Sequence, residues 1–302
     1  MLTQGGPFNL LFRSGLRKDF RDSWTNYDPE YPGFLNTGTM DGPEIEATII
    51  TGMSRLLERG DLEEITFEEP AIGGKVVGVD KEFALGFGVS RRTVEDDKYK
   101  KANQAAKWLA NAGRMTSEAR SAALLDDAFT GTTFKGIDGL ALCSTVHTLL
   151  TSAATVANAA ATPVGFSVAG VQTLLDLHAL MKDWNGDPVK SMPDTIVYSP
   201  KYISKAMQIF GSDKEPFTAE NQDNAVKRRL PGIKHAVSRF KSSTESYFLI
   251  DSKMNDAWYL TRRPIEFDDT FDFKTDAALY KAAVRFLIWF VDWHGWTGSN
   301  PS

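Results

Sequence analysis

A run near residue 290 alternates apolar side chains between two faces. Six of the ten residues from 282 to 291 are β-branched or aromatic, which favours a strand over a helix. Between these residues only Arg285 interrupts the two apolar faces. A strand with two apolar faces is packed against other parts of the protein on both of them. The pattern predicts a buried closing strand, with Ala282, Val284, Phe286, Ile288 and Phe290 on one face and Ala283, Leu287, Trp289 and Val291 on the other.

Residues 8–24 carry apolar positions at helical spacing opposite a basic face. They predict an amphipathic helix that docks on another part of the protein or on a neighbour. Residues 25–43 are rich in Pro, Gly, Asn and Asp and predict an extended, irregular arm. The apolar positions of the helix are Phe8, Leu11, Phe12, Leu16 and Phe20, and the basic ones are Arg13, Arg17, Lys18 and Arg21.

Two alternating, β-prone runs lie between residues 62 and 90. We expect 62–70 to pair with 75–90 through a turn at Gly73 and Gly74. Because a two-stranded hairpin is marginal in water, this one needs a partner to lie on. Its polar positions predict strands that are solvated along much of their length; they are Glu64, Glu68, Lys75, Asp80, Lys81 and Glu82.

A helical rod follows the hairpin. Thr93 and Asp96 fit a capping pattern, and residues 113–117 are expected to break or bend the rod before a second helix at about 118–129. Its apolar stripe is Ala102, Ala105, Ala106, Leu109 and Ala112. Farther along, helices are predicted at 166–184, capped by Ser167, and at 200–212, with strands at 194–200, 246–251 and 257–260. These segregated elements indicate the α+β class.

The composition is that of an ordinary folded protein. Of 302 residues, 42% are hydrophobic and 24% charged, and the net charge of −5 gives no basic field for nucleic acid. The closing run does not fit a membrane span, because Lys281, Arg285 and Asp292 interrupt it and each costs about 2.5–3.5 kcal/mol at mid-bilayer. No secretory signal is evident at the N-terminus, so we expect a cytoplasmic site of synthesis.

Candidate chemistry is sparse. Cys143 and His147 are four residues apart, but no orienting group follows them, and the single cysteine excludes an internal disulfide. The Gly-Gly-Lys run at 73–75 and the Gly-Phe-Gly run at 86–88 lack the rest of a nucleotide-binding motif. The acidic run 266–276 lacks calcium-loop spacing and is typical of a solvated strand edge. With His178, His235 and His294 not closely paired, we expect no catalytic, metal or cofactor site.

Four segments together carry a family resemblance through their order and spacing. They are FGVSRRTVEDDKY at 87–99, FTGTTFKGIDGLALCSTVH at 129–147, VAGVQTLLDLHALMKDWNGDPV at 168–189 and FLIWFVDWHGWTGS at 286–299. Over nearly its whole length the chain resembles the major capsid proteins of tailed bacteriophages, specifically the Mu-like major head subunit family.

The resemblance implies the Hong Kong 97-type capsid fold, with one side of the closing strand on a spine helix and the other on the arm or a neighbouring subunit. The implied divisions are an N-arm at 1–45, an E-loop at 46–90, the spine helix of the P domain at 91–135, an A domain at 136–258 and closing P-domain strands at 259–302.

The implied function is structural and not enzymatic. Subunits are expected to self-assemble, as hexamers and pentamers, into an icosahedral shell that encloses phage DNA without sequence-specific binding. Scaffold and portal proteins are further expected partners, and the sequence begins close to the arm, so a scaffold is either separate or already removed. Two alternatives stay open: a nanocompartment shell around a cargo enzyme, and a small hydrolase that uses Cys143 and His147.

Overall fold

The computed structural model describes residues 7–53, 55–61, 63–90, 99–151, 154–216, 222–272, 274 and 277–301. Its α-helices are α1 (Pro7–Thr25), α2 (Tyr99–Asp126), α3 (Val168–Ala179), α4 (Ile203–Gly211) and α5 (Ala225–Arg229), with 3-10 turns at Tyr31–Gly33 and Pro200–Tyr202. Its strands are β1 (Asn36–Thr39), β2 (Glu44–Ile50), β3 (Ile72–Val79), β4 (Lys81–Ser90), β5 (His147–Thr148), β6 (Thr155–Val156), β7 (Thr195–Tyr198), β8 (Lys234–Val237), β9 (Tyr247–Ile250), β10 (Ala257–Asp272), β11 (Ala277–Phe290) and β12 (Trp296–Ser299).

The larger sheet has the strand order β1-β10-β11-β4. The long strands β10 and β11 run antiparallel, with Ala257 opposite Phe290 and Asp272 opposite Ala277. Strand β1 adds to β10 in parallel, so part of the predicted arm is ordered as an edge of this sheet. Strand β11 is the predicted closing strand, and it lies inside the sheet between β10 and β4.

One face of β11 is covered by the helices α1 and α2. This confirms the alternation predicted for the closing strand and a docking role for α1 within its own chain. The side chains of Phe8, Leu11 and Phe12, like the predicted cap at Thr93 and Asp96, lie outside the described residues. The cluster under the start of β11 contains Leu16 and Phe20 of α1, Ala106, Leu109 and Ala110 of α2, and Tyr280 and Ala282. Its continuation contains Leu124, Leu125, Val284, Phe286, Ile288 and Phe290.

The other face of β11 is covered by the hairpin of β2 and β3. Leu287, Trp289 and Val291 cluster with Met40 of the arm and with hairpin side chains. At Gly78 of β3, a Cβ atom would lie 2.6 Å from Leu287 Cδ2 and 2.8 Å from Trp289 Cε3, so only glycine lets the β3 backbone lie this close. The arm thus covers part of this face, as predicted, and the chain's own hairpin covers the rest through Ile45, Ala47, Ile49 and Val76.

The predicted pairing of 62–70 with 75–90 is wrong. Residues 63–70 have no regular secondary structure, and β3 pairs with β2, with Glu44 opposite Val79. Strand β4 instead joins the large sheet beside β11. Gly73 and Gly74 therefore lie within or beside a paired strand, where a Cβ atom on Gly74 would approach the Ile137 carbonyl oxygen to 3.0 Å. The glycines permit close packing and do not form the predicted turn.

The predicted break in the helical rod is also wrong, because α2 runs without interruption from Tyr99 to Asp126. Thr116 and Ser117 satisfy their hydroxyl groups on the carbonyl oxygens four residues earlier, which keeps them compatible with a helix. Gly113 permits close packing, since a Cβ atom there would lie 2.7 Å from Ile265 Cδ1.

A second sheet, with the order β12-β9-β7-β8, forms the other part of the fold. The predicted cap of α3 is confirmed, because the Ser167 hydroxyl accepts a hydrogen bond from the Gly170 amide at 3.1 Å. The helix ends at Ala179, earlier than expected. The strands predicted around β7 and β9 and the helix around α4 are confirmed. Their core contains Phe166, Val171, Leu174, Leu175, Ile196, Ile209, Val226 and Leu249.

Candidate assembly surface

The hairpin of β2 and β3 carries a long connection, residues 51–71, which we call the distal loop. Its base is closed by two hydrogen bonds: the Thr51 amide donates to the Ala71 carbonyl, and the Ala71 amide donates to the Thr51 hydroxyl, each at 2.9 Å. Asn185 donates its amide nitrogen to the Gly52 carbonyl at 2.7 Å. The root of the distal loop is therefore fixed to its own chain.

Beyond this base, the distal loop presents large apolar side chains to solvent. Leu56 is fully exposed, and Phe67 keeps 92% of its surface exposed. The loop also has six acidic residues against two basic ones. Monomeric soluble proteins rarely expose several large apolar side chains close together. Such a concentration on one loop is typical of an interaction surface. Met53, Leu57 and Ile65 also belong to the exposed apolar set among the described residues of the loop.

A buried carboxylate anchors the hairpin to the large sheet. The Asp80 side chain, only 1% exposed, lies between β3 and β4. Its Oδ1 accepts a hydrogen bond from Arg262 Nη1 at 3.1 Å, and its Oδ2 lies 2.8 Å from Arg285 Nε. The Asp80 amide also donates to the Pro43 carbonyl at 3.2 Å, which ties the two ends of the hairpin together. The prediction that Asp80 is solvated is wrong.

Cys143 and His147 do not form a thiol–imidazole pair. Cys143 is buried, and burial raises the pKa of its thiol well above its usual range, which opposes the reactive thiolate. Both ring nitrogens of His147 have other partners: Nδ1 lies 2.6 Å from Asp138 Oδ2, and Nε2 lies 3.0 Å from Asn158 Oδ1. Neither nitrogen is therefore available to take a proton from the thiol.

Sequence reasoning missed a serine–histidine–aspartate group. Ser191 Oγ lies 2.6 Å from His178 Nε2 and donates to Asp251 Oδ2 at 2.8 Å. Burial lowers the pKa of His178 to about 4, so its ring is neutral. The Ser191 hydroxyl donates its hydrogen bond to the Asp251 carboxylate and not to the histidine. His178 is therefore not placed to act as a base for the serine, and Asp251 does not orient the histidine ring. The group is a structural network that links α3 to the segments around Ser191 and Asp251.

The remaining motifs lie on strands. The runs at 73–75 and 86–88 fall within β3 and β4, and the described part of the acidic run 266–276 falls mainly on β10, beyond the residues of that strand that pair with β1. There, Asp269 pairs with Arg17 at 3.0 Å. In the described part of the chain, no group of three or more potential ligands is arranged to hold a metal ion. Within those same residues, no helix combines the length and apolarity needed to cross a bilayer.

Several solved structures are similar to this chain over most of its length. The chain is similar to a chain from Microbacterium phage Oxtober96 (TM-score 0.57, 9% identity, covering 91% of this chain and 92% of that one). It is also similar to the procapsid of bacteriophage JBD30 (TM-score 0.55, 14% identity, 99% and 77%) and to a virus-like particle from Pyrococcus furiosus (TM-score 0.55, 10% identity, 95% and 98%). The fold is of the Hong Kong 97 type.

A family model described as phage capsid protein matches residues 76–298, which is well over half of the chain. The chain belongs to this family, and it is a structural, non-enzymatic protein of the virion capsid. The narrower assignment to the Mu-like major head subunits stays a prediction. Comparison with curated proteins gave no match.

Proposed function

We propose that this protein is the shell-forming major capsid subunit, which self-assembles as hexamers and pentamers into a closed icosahedral head around phage DNA. The exposed apolar set on the distal loop is the observation that carries the proposal. Each subunit of a shell has several neighbours, so many contacts of modest area suffice to hold it. Scaffold and portal proteins are the proposed further partners, assembly takes place in the host cytoplasm, and the enclosed DNA is bound without base recognition.

The proposed divisions of the subunit follow the resemblance, with one refinement. The N-arm comprises 1–45, the spine helix 91–135, the A domain 136–258 and the closing P-domain strands 259–302. Within the E-loop at 46–90, the part that reaches a neighbouring subunit is the distal loop, since β3 is packed on β11 and β4 is a strand of the large sheet. The distal loop lies on a second copy of this chain.

The test is to replace residues 55–67 with a short Gly/Ser turn. Because these residues add little to the buried core, we expect thermal unfolding and helix content of the free subunit to stay nearly unchanged, while closed shells are lost. Trypsin should cut the wild-type loop at Arg55 and Arg59 in free subunits and spare it in particles, since exposed loops of low local stability are cleaved first. Normal shells from the shortened protein would contradict the proposal.

Apolar substitutions give a sharper version of the same test. Replacing Leu56 and Phe67 with serine removes contact area and leaves the loop length unchanged. The matched control is Leu180→Ser together with Met207→Ser, which removes one exposed apolar side chain directly after α3 and one in α4, both far from the distal loop in sequence. We expect the loop pair to lower shell yield much more than the control pair. Equal effects would mean that general surface apolarity, and not this loop, governs assembly.

A cargo-enclosing nanocompartment is the second candidate. The similarity to the virus-like particle from Pyrococcus furiosus supports it, and the family match to phage capsid proteins favours the phage head. The contents of particles purified from the source cells discriminate between them. DNA protected from nuclease inside the particles supports the phage head, whereas a stoichiometric cargo protein without DNA supports the nanocompartment.

A further inference from the structure

A tight turn at residues 183–187 lies beside the root of the distal loop. The Asp183 carboxylate closes it, because its Oδ1 accepts hydrogen bonds from the amides of Asn185 at 3.0 Å and Asp187 at 2.8 Å. The main chain closes it again: the Gly186 amide donates to the Asp183 carbonyl at 2.9 Å, and the Asp183 amide donates to the Asp187 carbonyl at 2.8 Å. Gly186 has a φ of +91°, which glycine adopts without strain. The turn is therefore a rigid unit.

The core of the subunit holds this turn in place. The Trp184 side chain is buried in the cluster that contains the end of β11, and its Nε1 donates to Asp292 Oδ2 at 3.2 Å. The Trp184 carbonyl accepts a hydrogen bond from the Leu150 amide at 3.2 Å. Asn185 and Asp187 are therefore carried on a fixed base.

The side chains of Asn185 and Asp187 bind the root of the distal loop. Asn185 Nδ2 donates to the Gly52 carbonyl at 2.7 Å and lies 3.5 Å from the Met53 carbonyl oxygen. Asp187 Oδ1 accepts a hydrogen bond from Arg55 Nε at 2.7 Å and lies 2.5 Å from Arg55 Nη2. We call these contacts the root clamp. The hydrogen bonds that close the turn involve only main-chain atoms of Asn185 and Asp187, so changes to these two side chains leave the turn itself closed.

The root clamp ends directly before the exposed apolar part of the loop. Leu56, which follows Arg55 in the chain, is fully exposed. Farther out, hydrogen bonds join Arg59 and Gly60 to Glu63, so they are internal to the loop. The direction in which Leu56 leaves the subunit is therefore set at Arg55.

We propose that Asn185 and Asp187 are positioning residues for assembly, which hold the distal loop in the direction that a second copy of this chain receives. The inference rests on the proposed function, since it concerns the same loop. The Arg55 side chain is 76% exposed and that of Asp187 35%, and an ion pair this exposed adds little to folding stability. Its effect is preorganisation, because a loop that is already held loses less conformational freedom when it docks.

Exchange of the two charges tests the ion pair by rescue. Arg55→Asp and Asp187→Arg each place like charges at the root clamp, and the double variant restores an ion pair in reversed order. We expect each single variant to lower the yield of closed particles about threefold or more, and the double variant to recover most of the loss. Electron microscopy and sedimentation measure the yield. Single variants that assemble like the wild type, or a double variant no better than either single one, would overturn the proposal.

A distance measurement on the free subunit tests the direction of the loop without assembly. Nitroxide labels on Leu57→Cys, directly after the root clamp, and on Met207→Cys in α4 lie at exposed positions, whereas Cys143 is buried. Asn185→Asp keeps the size of the side chain and loses the donor to the Gly52 carbonyl. We expect this variant to broaden the distribution of distances between the labels. The same distribution with and without the substitution would show that the root clamp does not position the loop.

The matched control is Asp176→Arg. Asp176 Oδ1 in α3 lies 2.8 Å from Arg229 Nη1 in an exposed ion pair, so this substitution also places like charges together at the surface. It should leave the distribution of label distances unchanged. A control that broadens the distribution as much as Asn185→Asp would mean that the loss of any surface contact has this effect, and the proposal would fall.

Failure of this inference and failure of the proposed function give different results. If the wild type forms shells and both single charge variants form them equally well, the positioning role is wrong and the proposed function stands. If the wild type gives only monomers, the proposed function is wrong, and the positioning role in assembly falls with it.

Discussion

The Asp80 carboxylate, at the junction of β3 and β4, lies 2.8 Å from Arg285 Nε in the middle of β11. Between residues 282 and 291, Arg285 is the one charged residue that interrupts the two apolar faces of the closing strand. The pair explains the interruption: the strand carries an arginine there because the base of the hairpin supplies a buried acid. The hairpin that carries the distal loop is therefore held on β11 in two ways. One is the ion pair between Asp80 and Arg285, and the other is the close packing of Gly78 on β11.

Removal of the Asp80 carboxylate should loosen this root. Asp80→Ala leaves Arg262 and Arg285 without the carboxylate that they share. We expect the free energy of unfolding to fall by about 3 kcal/mol. This is the low end of the range for a broken buried ion pair, because both arginines are partly exposed. Asp80→Asn, which keeps a hydrogen-bond acceptor, should cost less. Urea unfolding of the free subunit measures both, and an unchanged midpoint for Asp80→Ala would contradict the anchoring role.

Gly78 should tolerate no side chain. Gly78→Val places a branched side chain where Leu287 and Trp289 already lie, and overpacking of this kind costs about 1–3 kcal/mol. The matched control is Gly165→Ala, where a Cβ atom meets nothing within 4 Å. We expect protease sensitivity of β2 and β3 to rise in the valine variant alone. Equal sensitivity in both would show that the hairpin is not held by this contact.

Much of the fold was predictable because its signals are local. The two-faced pattern of β11, the Ser167 cap and the strands β7 and β9 of the second sheet depend on neighbouring residues, and the structure confirms them. The pairing within the hairpin is not predictable in the same way. The alternating run at 44–50 lies across the boundary between the predicted arm and E-loop, and the glycines at 73 and 74, which serve close packing, also match the pattern of a turn.

The burial of Asp80 was not predictable from the sequence for a different reason. Its partners Arg262 and Arg285 are about two hundred residues away in sequence, and no periodicity reports such a contact. The stacking of His147 on Trp293 is not predictable for the same reason, since the two residues meet only in the folded chain. The burial of Cys143 was predictable, because a lone cysteine without an orienting partner is usually a small buried apolar residue.

Cys143 should behave as a packing residue. Cys143→Ser introduces a hydroxyl into an apolar cluster, and we expect a loss of about 1–2 kcal/mol of stability with assembly unchanged. A thiol-specific reagent should react slowly with the folded protein and fully in denaturant, since burial raises the pKa of the thiol. Rapid reaction in the native state, or a turnover that the serine variant abolishes, would contradict this account.

Acid should destabilise the fold through His178. Burial lowers the pKa of this ring to about 4, below the ordinary value near 6.5, so the unfolded chain binds the proton more readily. The stability that the neutral ring contributes is present above pH 6.5 and is lost as the pH falls towards 4, by roughly 3 kcal/mol in all. Unfolding of wild type and His178→Gln across this range should show a flatter profile for the variant; parallel profiles would count against it.

Electron microscopy of the purified wild-type protein tests the central claim most directly. A shell-forming capsid subunit should give closed particles of uniform diameter, or capsomers, tubes and sheets that close when a scaffold protein is supplied. Sedimentation of the same samples should show a large species that grows with protein concentration. Only monomers, at every protein and salt concentration and with the scaffold present, would contradict the account.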